Sequence, residues 1–181
     1  VLRAVGLVDE AHDVLQSSVQ WHRSVGGGGE QAALAETLLA ALDGATEERP
    51  AIYLSTVSEP FEKILRYGQT LSFFDRDAIG RSVYLEDLGG TVGGTEGLSA
   101  VTERIGALTK ERRPGIIAID SFKALAAFAE DAQAFRRFLH DLAALLTAFP
   151  VTSFWIGEYS EEEMRTTPEA AVADGIVSLE M

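Results

Sequence analysis

Apolar and polar positions change period repeatedly along this chain, and the changes divide it into strand-like and helix-like runs. Continuous apolar runs rich in β-branched and aromatic residues, the mark of a buried strand, occur at 51–56 (AIYLST) and 115–120 (GIIAID), and 151–158 (VTSFWIGE) also reads as a strand. The runs 81–88 (RSVYLEDL) and 175–181 (GIVSLEM) also read as strands, and 19–25 (VQWHRSV) as a weaker one. Helical spacing occupies the intervals. Residues 30–42 (EQAALAETLLAAL) combine it with strong helix formers. In SEPFEKILRYGQTL, Ser58 is placed to cap a helix and Pro60 falls in its first turn. Residues 98–112 form an amphipathic helix with a polar end, and 131–149 a long one with Phe135, Phe138, Leu142 and Leu145 along one face. The segments 43–50 and 89–97 (GGTVGGTEG) read as loops, the second as a flexible surface loop.

Strand and helix thus alternate, which predicts an α/β three-layer sandwich: a mostly parallel central sheet with helices on both faces. No internal repeat breaks the rhythm, so residues 1–181 are expected to form a single domain. The chain ends inside a strand-like segment, as a fragment of a longer chain would.

Composition narrows the function classes. The formal net charge is -13, with 28 acidic residues against 12 arginines and 3 lysines, Lys63, Lys110 and Lys123. Such a surface repels nucleic acid and anionic membrane at ordinary salt, and Arg112-Arg113 and Arg136-Arg137 are isolated pairs rather than a basic patch. No apolar run approaches the roughly 18 residues of a membrane span. With no cysteine, disulfides and cysteine-ligated zinc are excluded, and a cytoplasmic location is the expectation. Abundant carboxylates with scarce lysine suit a salt-rich cytoplasm and are similar to haloarchaeal composition. A GC-rich genome encoding an acidic, Ala- and Arg-rich protein gives the same pattern.

Chemistry on an open α/β sheet is sought beyond the carboxyl ends of its strands. There the sequence places Gly26, Gly27, Gly28 and Gly29, then Ser58 and Glu59, then Glu86 and Asp87, then Asp120 and Ser121, then Glu158. Four glycines between a strand and a helix have the layout of a phosphate-binding loop, whose backbone N–H groups curl around phosphate. The lysine and the hydroxyl that complete such a loop are missing: the chain continues Glu30, Gln31, Ala32. Losing one charge-assisted contact costs about 1.5–3 kcal/mol, and Glu30 adds repulsion. Asp120 closes the most apolar strand, where an aspartate either holds Mg²⁺ or caps the next helix or turn. His12, His22 and His140 are scattered without zinc spacing, and EYSEEEM reads as a solvated helix start.

Together these segments resemble a RecA-superfamily domain of the KaiC type. GLVDEAHDVL stands where that family has its lead-in. AIYLSTVSEPFEKILRYGQTLSF resembles its second strand, acidic pair and helix, GIIAIDSFKAL its Walker B strand, and VTSFWIGEYSEEE with AAVADGIVSLEM its late strands. The resemblance covers nearly the whole chain, and the EP and VADGIVSL stretches carry it best.

It implies a RecA-like P-loop fold, an ancestral site for ATP or ADP with Mg²⁺, and self-association of the kind that builds rings or filaments. Carried over by position, the P-loop is Gly26 to Ala32, with Gln31 at the lysine position and Ala32 at the Ser/Thr position. Ser58 and Glu59 fall on the acidic pair that activates water, and Asp120 on the Walker B aspartate. The expectation is a degenerate, non-catalytic domain that acts in regulation, signalling or scaffolding through a protein partner or its own copies, with no cofactor. One alternative is an ATPase with a non-standard phosphate site, with Glu59 as base and Asp120 on the metal. A basic residue of another subunit, or Lys123, would then replace the lost lysine. The other alternative is nucleic-acid handling.

Overall fold

The structure, a computed structural model, describes residues 2–5, 45–56, 61–69, 74–94 and 97–177. The expected strand at 19–25, the helix at 30–42, the candidate cap Ser58 and the first-turn Pro60 lie outside the described residues. Six strands of the described residues form one sheet: β1 (Leu2–Val5), β2 (Ala51–Ser55), β3 (Val83–Asp87), β4 (Ile116–Asp120), β5 (Thr152–Ile156) and β6 (Gly175–Val177). Their spatial order is β3-β2-β4-β5-β1-β6. The four strands β3, β2, β4 and β5 are parallel, whereas β1 runs antiparallel to both β5 and β6.

Helices α1 (Phe61–Gly68), α2 (Gly89–Val92), α3 (Gly97–Arg112), α4 (Ala132–Thr147) and α5 (Glu161–Thr166) connect the strands, with short 3-10 helices at Arg76–Ala78, Phe122–Phe128 and Pro168–Ala171. Strand pleating sends alternate residues to opposite faces, and the chain exploits this with two apolar layers. On one face Ile52, Leu54, Ile117, Ile119 and Trp155 pack against Val101, Ile105 and Leu108 of α3 and Phe138, Leu139 and Leu142 of α4. On the other, Tyr53, Val83, Ala118, Phe154 and Ile156 pack with Ile64 of α1. The mostly parallel sheet with helices on both faces is therefore present, and its central strands read as apolar runs because neither face meets water.

One expectation needs correction. The 89–97 segment is not a simple surface loop: it begins with the helical turn α2. Leu88 and Val92, four residues apart, are buried on the α3 side of the sheet. The turn is started by Asp87, whose Oδ1 accepts from the Gly89 N–H at 2.7 Å. The glycines hid two apolar anchors at helical spacing. The 3-10 helix at Phe122–Phe128 was also not anticipated; it buries Phe122 and Leu125.

Candidate functional site at the carboxyl ends of the parallel strands

Parallel register gathers the strand ends at one edge. Ser55 pairs with Asp87 on one side and Asp120 on the other, and Asp120 pairs with Ile156. The pleat then puts Tyr53 and Ser55 on the same face as Ala118 and Asp120.

The corner after β4 is tied to β2 by three hydrogen bonds. The Tyr53 hydroxyl donates to Asp120 Oδ2 at 2.7 Å. The Thr56 backbone N–H donates to the Asp120 carbonyl at 2.8 Å, and the Thr56 hydroxyl donates to the Ser121 carbonyl at 2.9 Å. Tyr53 is 2% exposed and Thr56 fully buried, so all three bonds form where water does not compete freely. The Asp120–Ser121 peptide is cis. On the β3 side space is short: a Cβ on Gly89 would stand 3.0 Å from Asp87 Oδ1 and 3.1 Å from the Thr56 carbonyl.

Beyond β5 lies a second polar group. The Lys123 ammonium sits 2.8 Å from Glu163 Oε1 and 5.2 Å from the centre of the Tyr159 ring. Glu163 also closes a capping box with Ser160 at the start of α5. The bond from Lys123, followed by those from the Ser160 backbone and hydroxyl, pulls the Glu163 carboxyl down to about 2. The Tyr159 hydroxyl donates to Glu169 Oε1 at 2.8 Å. Thr167 donates to the other Glu169 oxygen, which satisfies a carboxylate that is only 2% exposed. Gly157 is required here by close approach, because a Cβ would meet the Tyr159 ring at 2.6 Å and Lys123 Cβ at 3.1 Å.

Of the candidate site residues, Asp120 is described, and it stands at the strand-end edge as its position in the sequence implied. Gly26, Gly27, Gly28, Gly29, Gln31, Ala32, Ser58 and Glu59 lie outside the described residues. Lys123 is ion-paired with Glu163. Among the described residues no three His, Cys, Asp or Glu side chains gather as a metal site. A separate groove of about 590 Å³ runs between α3, α4 and the 3-10 helix before α4, and holds none of the candidate site residues.

Sequence reasoning missed Tyr53, Thr56 and Glu169. A signal for Tyr53 existed: a phenol in an otherwise aliphatic buried strand needs a partner for its hydroxyl. Which partner depends on the register between β2 and β4, and a single sequence does not encode that visibly.

No protein-family model matches the chain, and no curated protein matches it in sequence. In structure, the chain is similar to a KaiC-like protein from the hyperthermophilic archaeon Pyrococcus horikoshii. The TM-score is 0.64 at 18% identity, covering 81% of this chain and 66% of that one. At that identity the likeness establishes the fold alone, which is RecA/KaiC-like. No helix among the described residues is long and apolar enough to cross a membrane.

Proposed function

We propose that this RecA/KaiC-like domain is a non-catalytic module that acts in regulation, signalling or scaffolding, through a protein partner or a second copy of itself. The observation that carries the reading is the pairing of a loop lacking its phosphate clamp, with Gln31 and Ala32 at the lysine and hydroxyl positions, with an Asp120 side chain already engaged by Tyr53. Lys123, the residue of this chain weighed as a replacement for the clamp, is committed to Glu163. A nucleotide recruiting it must break a charge-assisted bond first. The net charge of -13 speaks against nucleic acid as the partner.

The position of Asp120 at the carboxyl end of a parallel strand favours a second reading, a surviving nucleotide site with Glu59 as base. Calorimetric titration with Mg-ATP and Mg-ADP decides between the two, with circular dichroism confirming a folded sample in low and multimolar salt. A folded domain that binds neither nucleotide at millimolar concentration is the expected outcome. Micromolar binding, with turnover abolished by Glu59→Gln, overturns the module reading.

A further inference from the structure

We infer that Tyr53 serves as a built-in partner of Asp120, supplying from within the chain the contact a divalent cation's water would make at that carboxylate. The inference deepens the non-catalytic reading of the same site.

The geometry is specific. Tyr53 lies on β2, two residues before Ser55, and Ser55 is the register partner of Asp120. Its hydroxyl therefore reaches along its own strand toward the strand-end edge and meets Asp120 Oδ2 at 2.7 Å. The ring is 2% exposed and sits in the apolar layer with Ala118, Phe154 and Ile156. A phenol so enclosed is held in place by packing, so it costs little further ordering to keep its O–H aimed at the carboxylate. The backbone reinforces the arrangement: Thr56 ties the carbonyls of Asp120 and Ser121 to the same strand.

Chemically, an ionised carboxylate accepts hydrogen bonds and offers no donor. In a P-loop protein the Walker B aspartate spends that capacity on Mg²⁺ or its water. Here a neutral O–H from the adjacent strand uses part of it. The corner after β4 is thereby held in one geometry with no ion required, and a cation approaching Oδ2 competes with a charge-assisted bond for that oxygen.

The test compares Mn²⁺ binding, read by the electron paramagnetic resonance of free Mn²⁺, in the wild type, Tyr53→Phe and Tyr53→Phe/Asp120→Asn. All are measured in a salt where circular dichroism shows them folded. Tyr53→Phe is expected to bind Mn²⁺ about tenfold more tightly than the wild type, the equivalent of one charge-assisted bond no longer in competition. Asp120→Asn should remove the gain. Equal Mn²⁺ occupancy in wild type and Tyr53→Phe, undetectable binding in both included, overturns the inference.

A second measurement needs no metal. The melting temperature lost through Tyr53→Phe should vanish when the same change is made in an Asp120→Ala background. A loss undiminished there overturns the inference as well. Nucleotide binding by the wild type would end the non-catalytic reading and leave these two comparisons to decide the role of Tyr53.

Discussion

Glu163 shows what a single exposed side chain does at this edge. It holds Lys123, caps α5 through Ser160, and has its carboxyl drawn from 4.5 to about 2 by those contacts. A carboxyl lowered on folding stabilises the fold fully above its unfolded value and loses that contribution as pH falls through its folded value. The urea midpoint of the wild type should therefore exceed that of Glu163→Gln at pH 7. The gap should close between pH 4.5 and about 2. Glutamine can still serve the capping box, so the difference reports the charge of the carboxylate, felt first by Lys123 and then by Ser160. The pair with Lys123 is about half exposed, so high salt should shrink the gap too. A gap that persists at pH 2 would assign the effect to packing.

At the scale of elements, α3 ends in a strained way. Arg113, just past its last residue, has φ 48, a left-handed conformation, while its N–H donates to the Thr109 carbonyl at 3.0 Å. Side chains with a Cβ resist that conformation, and glycine does not. Arg113→Gly is expected to raise stability by about 0.5–1 kcal/mol, the relieved strain less glycine's greater freedom when unfolded. Chemical denaturation measures it, and a loss of stability would show that the arginine side chain contributes more than the strain costs.

The same scale shows what was legible beforehand. Strands β2, β4 and β5 and helices α3 and α4 fall where the apolar pattern put them, because elements buried on a whole face leave long, unambiguous runs. The turn α2 was hidden because its glycines outweighed Leu88 and Val92 in the pattern. Strand β1 left no signal, since four residues are too few to show a period. Of the site, Asp120 was legible from its place after GIIAI. Its bond to Tyr53 was not, because it depends on how two strands 67 residues apart slide into register.

For the whole molecule, the governing quantity is net charge. A charge of -13 on 181 residues repels itself. Ion pairs such as Arg81 with Glu47, Arg104 with Glu86 and Lys123 with Glu163 lie largely at the surface, where each contributes little. Salt should therefore relieve more repulsion than it weakens attraction. The expected result is a melting temperature that rises between about 0.1 M and about 3 M KCl, far past the range where screening is long. A flat or falling profile would point to genome composition, and not salt adaptation, as the origin of the acidic surface.

The packing beside Asp120 has a practical side. Phe122, two residues after it, lies flat on Trp155, with ring centres 4.3 Å apart and planes 3° from parallel. The indole N–H finds no hydrogen-bond partner among the described residues. Trp21 is the other tryptophan in the chain. With it changed to phenylalanine, Trp155 becomes an optical gauge already installed against the corner. Anything that shifts the corner, whether ion, nucleotide or partner, then reports itself as a change in colour or brightness, with no label attached.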